Sequence, residues 1–551
     1  MFYPSLWSLF PNQWKNNKGV NTKWIGAVFA LLLLLFVIFK LSVNEGPWLG
    51  NDSFQYISVA AYFNQGEFAK TGVVYFDTER SHGFLPAPLT TFPFGYPLAI
   101  ATVSHLGISH ESAAVLISLL SLIALTFAFN WALSLLKISL PVCIFINILW
   151  VMNEGLIFYS ASVGTEGLFT CLSFLAIVLL IKQMTSQERD TSSFGLLATA
   201  YLLIGVSYYI RYAGLILFAG VYSFQMIRFF LNRSQVNRDA LVAGIFCVGL
   251  IAIGFIRNFL LVGDWRGGNN KGVDHSLIEM ISQFIRAIYQ LFFGFSYPAG
   301  FGRFEMMIGG ATVLLIILLF SSRSTLAKNS NDFPLDIFCF LCFYIFVYCA
   351  SLIYLGMTGP ISFGVRLFIP FLPVLLLVLA LILNTLIRKE QTLRVSLMGV
   401  AAMLLFSMGY AGIHARNLLV PGKIGNDAVV TDSLSATLIG EESSLIWIKK
   451  NIPKTAVLMA NEGQALHYVL KNPVVALADS EYSVVSWNEE TLKQYANQFN
   501  GEFCFLFKNN DPVFKESPFL SGLLAGKAPH WLSLIAHSKG MALYKIQKGT
   551  L

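Results

Sequence analysis

Long stretches of apolar residues with almost no charge constrain this chain more than any other feature of its sequence. The first of them, Trp24–Val43, contains a single charged side chain, Lys40, near its end. At about 1.5 Å per residue, a helix of this length crosses the roughly 30 Å hydrocarbon core of a bilayer. Similar stretches recur at Ser112–Leu136, Ile138–Asn153, Ala161–Ile181, Phe194–Tyr209, Tyr212–Phe230, Ala240–Val262, Phe304–Phe320, Leu335–Leu355, Gly364–Leu386 and Val395–Gly412. The sequence therefore predicts a polytopic α-helical membrane protein.

The composition agrees with a membrane-embedded chain. Charged residues account for 12% of the 551 positions, about half of the share typical of soluble globular proteins. Of the seven cysteines, only Cys504 lies outside the apolar stretches, so no disulfide framework is predicted. The net charge of +7 is spread over short connections and forms no basic face on a soluble module, which argues against nucleic acid as a partner.

The basic residues indicate which connections face the cytoplasm. Lys and Arg cluster before the first span, within Arg228–Arg238 and within Arg388–Arg394. The positive-inside rule places such short connections on the cytoplasmic side, which predicts a cytoplasmic N-terminus and about 11–13 transmembrane helices. Two short segments, Phe94–Ile108 and Ile281–Pro298, are interpreted as interfacial helices, because counting them as spans would move basic connections outside.

The character of the sequence changes near Ile413. Residues 1–412 form the predicted membrane domain, in which residues 44–94 are the first external loop, and residues 413–551 form a predicted extracytoplasmic domain. In that domain short β-type runs alternate at first with helix-like stretches, which favours a small soluble α/β fold. The β-type runs are Ala456–Ala460, Val474–Ala478, Phe503–Phe507, Leu532–Ala536 and Ala542–Ile546, and the helix-like stretches are Ser444–Asn451, Gln464–Leu470 and Glu489–Gln498. A terminal hairpin is predicted to turn at Lys539-Gly540.

The first external loop carries the clearest chemical pattern. It reads GPWLGNDSFQYISVAAYF from Gly46 to Phe63, and Asp52 opens a stretch whose apolar residues suit a helix on the membrane surface. One interpretation is that Asp52 is only the N-cap of that helix, since Asn-Asp-Ser is favourable capping chemistry. Further along, Arg80 and His82 precede four prolines, which fix an irregular backbone before the chain re-enters the membrane.

Short strings of the membrane domain occur in an order typical of one enzyme superfamily. They are Asp52-Ser53-Phe54-Gln55-Tyr56, Phe94-Gly95-Tyr96-Pro97-Leu98, Ser162-Val163-Gly164-Thr165-Glu166, Arg257-Asn258 and Arg366-Leu367-Phe368-Ile369-Pro370-Phe371-Leu372-Pro373. Together they resemble the GT-C-type membrane glycosyltransferases, which take sugars from polyprenyl-phosphate carriers and include protein O-mannosyltransferases and the aminoarabinose transferases of lipid A. The sequence departs from many relatives in one respect, because Asp52 is followed by Ser53 and not by a second acid.

The resemblance implies catalytic roles for carboxylates. Glycosyl transfer passes through an oxocarbenium-like state, and an inverting transfer needs a base on the acceptor hydroxyl. Asp52 is the candidate base. Because no acid is adjacent to it, any second carboxylate comes from elsewhere, and Glu79 and Glu166 are the candidates.

The resemblance also implies a site for the departing lipid phosphate, for which Arg offers bidentate donors and a permanent charge. The predicted substrate-binding residues are Arg80, His82, Tyr96, Arg303 and Arg366. Arg366 is the first choice, because it begins a span directly after an external turn. For Arg80 and Arg303 the alternative is a side chain that extends to lipid head groups without chemistry, and for His82 it is a satisfied polar group. Arg211 and Arg257 are interpreted as structural partners of acids or backbone carbonyls.

The resemblance implies a glycosyltransferase that moves a sugar from a polyprenyl-phosphate carrier to an envelope acceptor, which is a glycolipid, a glycan or a protein. It would act at the extracytoplasmic face of a bacterial inner membrane. No cofactor is predicted, since no cluster demands a metal, and a carboxylate-bound divalent ion stays open. The alternatives are a secondary transporter or lipid flippase and a non-enzymatic envelope-assembly scaffold; the acids in an external loop and the lack of an evident repeat favour the enzyme.

Overall fold

A computed structural model describes the membrane domain and the C-terminal domain over most of their length. The described residues are 22–43, 46–74, 81, 83–185, 192–231, 235–265, 267, 275–293, 334–358, 364–389, 450–478, 485–507, 513–537 and 540–550. The predicted spans Phe304–Phe320 and Val395–Gly412 and most of the predicted helix Ser444–Asn451 lie outside these ranges.

The membrane domain is built from helices, most of them strongly apolar. In chain order they are α1 (Thr22–Val43), α2 (Asn51–Asn64), α3 (Gly95–Ser104), α4 (His110–Leu135), α5 (Leu140–Val151), α6 (Glu154–Ser160), α7 (Glu166–Thr185), α8 (Ser192–Ile210), α9 (Gly214–Leu231), α10 (Gln235–Val262), α11 (Leu277–Phe293), α12 (Leu335–Thr358) and α13 (Leu372–Lys389). Within the described ranges, seven helical segments are long and apolar enough to cross a membrane, and α5 with α6 makes an eighth candidate bent by 54°. The predicted polytopic α-helical fold is confirmed.

Two predicted spans differ from the helices that form. In the stretch Ile138–Asn153 the helix α5 ends at Val151, and Asn153 is the N-cap of the next helix, α6, since its side chain accepts from the Leu156 N–H at 2.9 Å. The stretch Ala161–Ile181 becomes helical only at Glu166. The residues before Glu166 form a loop whose backbone bonds to another segment, and that loop builds part of the site described below.

The two short segments of uncertain placement are short helices. Within Phe94–Ile108 the helix α3 has 10 residues, and α11 has 17 residues. Neither has the length and apolarity of a membrane span. Helix α11 is amphipathic, with Ala287 and Leu291 buried and the charged side chains of Glu279 and Arg286 exposed. The interfacial placement of both segments stays a prediction.

The C-terminal domain contains a mixed six-stranded sheet. Its elements are β4 (Val457–Ala460), α14 (Gly463–Leu470), β5 (Val474–Ala476), α15 (Glu489–Gln498), β6 (Gly501–Phe507), α16 (Val513–Glu516), α17 (Pro518–Leu524), β7 (Leu532–His537) and β8 (Met541–Ile546), preceded in the first loop by β1 (Lys70–Thr71), β2 (Val73–Val74) and β3 (Ala87–Pro88). The strand order is β2-β5-β4-β6-β8-β7, with the first four strands parallel and the β7–β8 hairpin antiparallel. The predicted α/β fold is confirmed.

One strand of this sheet comes from the first external loop of the membrane domain. Val73 and Val74 pair in parallel with Val474 and Val475 at the sheet edge. The sequence did not indicate this strand, because two residues are too short for an alternating pattern. The first loop and the C-terminal domain therefore share one sheet.

The two faces of the sheet pack against different partners. Along β6, Cys504 and Leu506 join a buried cluster that includes residues of α15 and α17. Phe503 and Phe505 point to the opposite face, as the two-residue period of a strand requires. That second face forms a cluster with α14 and with Phe54 of α2. The sheet thus packs its second face toward the helix that carries Asp52.

Candidate active site

The segment that leads into α2 runs beside the segment that leads into α7. The Trp48 N–H donates to the Ala161 carbonyl at 3.2 Å, and the Val163 N–H donates to the Trp48 carbonyl at 3.0 Å. These bonds form a short parallel bridge between Trp48 and Ser162. Because a helix follows each segment, the first turns of α2 and α7 begin next to each other.

Ser53 connects the start of α2 to the same loop. Its hydroxyl accepts from the Gly50 N–H at 3.0 Å and donates to the Val163 carbonyl at 2.6 Å. The helix begins at Asn51 with Gly50 as its N-cap, so Asp52 lies in the first turn. The N-cap interpretation of Asp52 is therefore wrong, and its carboxylate is available for another partner.

That partner is the guanidinium of Arg366. Its terminal nitrogen lies 2.6 Å from Asp52 Oδ2, and its Nε lies 3.1 Å from Glu166 Oε1. A second arginine, Arg211, contacts the same Glu166 oxygen at 2.7 Å. Two carboxylates and two guanidinium groups thus form one network with no net charge. Charge balance lowers the cost of removing such groups from water.

Exposure divides the network into an open and a closed half. The side chains of Asp52 and Arg366 are 28% and 37% exposed, whereas Glu166 is only 4% exposed. A substrate can therefore reach Asp52 and Arg366 directly. Glu166 is enclosed and bonded to two guanidinium groups, which suits a supporting role better than a reactive one.

Local sequence explains how Glu166 reaches both arginines. Its second oxygen lies over Gly164, where an added Cβ would stand only 2.3 Å from Oε2. Thr165 adds a hydroxyl 3.5 Å from the Arg211 guanidinium. The predicted string Ser162–Glu166 is therefore a loop that leaves room for the carboxylate at the start of α7.

Arg366 lies on an irregular turn. Two 3-10 turns, Val365–Leu367 and Ile369–Phe371, connect the preceding segment to α13. Pro370 has no N–H to donate to a helical ladder, and an α-helix forms only from Leu372 onward. The Tyr348 hydroxyl donates to the Leu367 carbonyl at 2.7 Å, which fixes the turn next to Arg366.

Tyr56 and the aromatic rings around it lie behind the exposed pair of Asp52 and Arg366. Tyr56 is one helical turn after Asp52 and is 4% exposed. Its ring meets Tyr96 edge-on at 5.3 Å and Phe92 at 5.6 Å. Burial, and then the charge of Asp52, raises the pKa of Tyr56 well above its ordinary value, so the phenol is protonated at neutral pH. Tyr56 is not among the residues that the sequence predicts for the site, although its spacing of four from Asp52 places both on one helix face.

The structure brings three of the predicted site residues together: Asp52, Glu166 and Arg366. Tyr96 is fully buried against Tyr56 and does not line the open half. The remaining predicted site residues, which lie outside the described ranges and stay predictions, are Glu79, Arg80, His82 and Arg303.

Arg211 and Arg257, which the sequence predicts to be structural, both have contacts within the protein. Arg211 pairs with Glu166, and Arg257 donates to the Leu89 carbonyl at 2.9 Å and lies over the Phe94 ring. Among the described residues, no group of three or more His, Cys, Asp or Glu side chains converges in a way that could hold a metal ion.

No protein-family model and no curated protein matches this sequence, but solved structures resemble the fold. ArnT from Cupriavidus metallidurans, bound to undecaprenyl phosphate, has a TM-score of 0.55 and 14% identity over 96% of this chain and 98% of that chain. The arabinofuranosyltransferase AftD from Mycobacteria has a TM-score of 0.51 and 12% identity over 96% of this chain and 40% of that chain. AglB from Archaeoglobus fulgidus, in complex with an inhibitory peptide and a dolichol-phosphate, has a TM-score of 0.50 and 12% identity over 87% of this chain and 69% of that chain.

These structures define the class of membrane fold. AglB is an oligosaccharyltransferase and AftD is an arabinofuranosyltransferase, and the ArnT and AglB structures hold undecaprenyl phosphate and a dolichol-phosphate, respectively. The chain has the GT-C membrane fold along most of its length, which confirms at the level of fold the resemblance indicated by the short sequence strings.

The space at Gly164 can be tested by substitution. We expect Gly164→Ala to displace the Glu166 carboxylate, because the new methyl group would overlap its oxygen. Overpacking of this kind costs about 1–3 kcal/mol, which a thermal unfolding scan of the purified protein would detect. Gly167→Ala is the matched control, since its Cβ would lie 3.8 Å from the nearest atom. Equal stability of the two variants would contradict the packing argument.

Proposed function

We propose that this chain is a glycosyltransferase that moves a sugar from a polyprenyl-phosphate carrier to an envelope acceptor, which is a glycolipid, a glycan or a protein. The observation that carries the proposal is the partly exposed pair of Asp52 and Arg366, which offers a base beside a phosphate ligand. The similar solved proteins that hold undecaprenyl phosphate or dolichol-phosphate support a lipid-phosphate donor.

Asp52 would act on the acceptor, and Arg366 would act on the leaving group of the donor. The bond between the anomeric carbon and the phosphate oxygen breaks, and a bond from that carbon to the acceptor oxygen forms. Asp52 takes the proton of the acceptor hydroxyl as this bond forms. Arg366 holds the departing phosphate, whose oxygens accept charge-assisted hydrogen bonds from the guanidinium.

Before substrate binds, the Asp52 carboxylate and the Arg366 guanidinium contact each other. The Asp52 Oδ2 lies 2.6 Å from the terminal nitrogen of Arg366, so this oxygen is already occupied by the guanidinium. A lipid phosphate would compete with Asp52 for the terminal nitrogen of Arg366, while Nε keeps its contact with Glu166. Donor binding would therefore free the base without releasing the arginine, so that Asp52 becomes active only when a donor is present.

We also propose that the reaction needs no divalent metal. In a metal-dependent site a cation would neutralise the carboxylates and hold the phosphate. Here the guanidinium of Arg366 already lies within 3.1 Å of oxygens from both Asp52 and Glu166, so it supplies that charge.

The orientation in the membrane is part of the same proposal. The distribution of Lys and Arg over the short connections supports a cytoplasmic N-terminus and an extracytoplasmic C-terminal domain. The site would then face the outer leaflet of a bacterial inner membrane, where lipid-linked sugars and envelope acceptors meet.

The role of Asp52 is tested by Asp52→Asn, with transfer followed from a panel of radiolabelled polyprenyl-phosphate sugars to an envelope extract. Loss of a general base should lower transfer by about 100-fold to 10,000-fold. Glu67→Gln is the matched control, because Glu67 is an exposed acid of the same loop that pairs only with Lys70 in the described structure. Equal transfer by wild type and Asp52→Asn would refute Asp52 as the base. No transfer by wild type from any donor would favour the transporter alternative.

The role of Arg366 is tested by Arg366→Lys. A lysine keeps the charge but cannot contact two partners through separate nitrogens of a rigid fork. We expect the donor KM to rise about 10-fold, corresponding to about 1.4 kcal/mol of binding, with a smaller change in acceptor KM. Lys454→Arg, an exchange at an exposed position of the C-terminal domain, should change neither value. An unchanged donor KM for Arg366→Lys would contradict phosphate binding by this residue.

Metal dependence is tested on the purified protein with excess EDTA. We expect transfer to stay within about twofold of its untreated value, because Arg366 supplies the charge that a cation would otherwise bring. Loss of transfer with EDTA and its recovery with Mg²⁺ or Mn²⁺ would contradict this expectation.

A further inference from the structure

Helix α2 presents two distinct faces. At about 100° per residue, Asp52 and Tyr56 share one face, while Phe54 and Ser58 share a face about 200° around the helix. The first face meets the network of Arg366. The second face meets the C-terminal domain, where α14 packs along α2. A rotation of α2 driven from the second face would therefore change the direction of the Asp52 carboxylate.

The central contact on the second face joins Ser58 to His467. The Ser58 hydroxyl and the His467 Nε2 are 2.7 Å apart, and both residues are buried. The His467 Nδ1 faces the carbonyl of Asn472, a group that only accepts, so Nδ1 carries the proton. Burial lowers the pKa of His467 to about 4, which leaves the ring neutral at pH 7. Nε2 therefore accepts, and Ser58 donates.

The chain encloses the imidazole on a further side. Gly72 of the first loop lies against the ring so closely that an added Cβ would be 2.2 Å from Cε1. The next residues, Val73 and Val74, enter the sheet edge as β2. The ring is thus held between α2, α14 and the loop, with little freedom to move away from Ser58.

Neighbouring contacts extend the same interface. The rings of Phe54 and Tyr468 are 5.0 Å apart, and the Tyr468 hydroxyl donates to Glu111 at 2.8 Å. Glu111 lies in the first turn of α4. One short helix of the C-terminal domain, α14, therefore contacts both the helix of the base and the start of a membrane helix.

We propose that the C-terminal domain is a positioning element of the active site, in which His467, through Ser58, fixes the rotation of α2 and so the direction of Asp52. The inference rests on the proposed function for its catalytic consequence and on the geometry alone for its structural one. His467 and Ser58 are positioning residues, because neither contacts Asp52 or Arg366.

Two replacements of His467 separate the effect of its bond to Ser58 from the effect of its bond to the Asn472 carbonyl. In His467→Gln the amide reaches the position of Nε2 and keeps a partner for Ser58, whereas in His467→Asn it reaches the position of Nδ1 and loses Ser58. A misplacement of about 1 Å can cost about 100-fold in rate. We expect His467→Asn and Ser58→Ala to lower kcat about 10-fold to 100-fold with donor KM within about twofold, and His467→Gln to restore most of kcat.

Thr102→Val is the control, since its exposed hydroxyl bonds only within α3 in the described structure. Equal kcat for wild type, Ser58→Ala and His467→Asn would overturn the inference, as would equal losses in His467→Gln and His467→Asn. Inactive wild type would instead refute the proposed function. Amide hydrogen exchange over residues 51–64 then decides the positioning claim: faster exchange in Ser58→Ala than in Thr102→Val supports it, and equal exchange overturns it.

Discussion

The bridge formed by Arg366 between two carboxylates is the contact on which the site depends. It joins Asp52 at the start of α2 to Glu166 at the start of α7, and 314 positions separate Asp52 from Arg366. Backbone bonds of Trp48 to Ala161 and Val163 hold the starts of α2 and α7 together, and Arg366 joins the third segment to them. Because the guanidinium uses different nitrogens for its two partners, it can hold one carboxylate while the other exchanges with a ligand.

A cluster of four charged groups at the end of apolar helices is stable only when the charges balance. Glu166 is 4% exposed and would be costly to bury alone. Arg211 and Arg366 compensate it together, and Gly164 provides the space in which its second oxygen lies. The buried Glu166 carboxylate is thus a fixed anion that orients Arg366. The side chains of Asp52 and Arg366 remain accessible to a substrate.

The C-terminal domain packs directly against the segments that build this site. Its sheet is completed at one edge by Val73 and Val74 of the first loop, and its helix α14 packs on α2. A bond between Ser58 and His467 lies at the centre of that contact. Forces on the domain therefore reach the helix of the proposed base through packed side chains.

The sequence by itself determined most of the membrane spans that the structure describes, most strands of the C-terminal domain and the candidates Asp52, Glu166 and Arg366. The spans and strands are visible because apolar length and periodicity are properties of consecutive residues. The three candidates were indicated by short strings that resemble the GT-C glycosyltransferases. Only the tertiary structure decided that the three side chains meet, that a two-residue strand completes the sheet and that His467 reaches Ser58. Such contacts join segments hundreds of residues apart, and no local pattern of hydrophobicity records which partner a polar side chain will find.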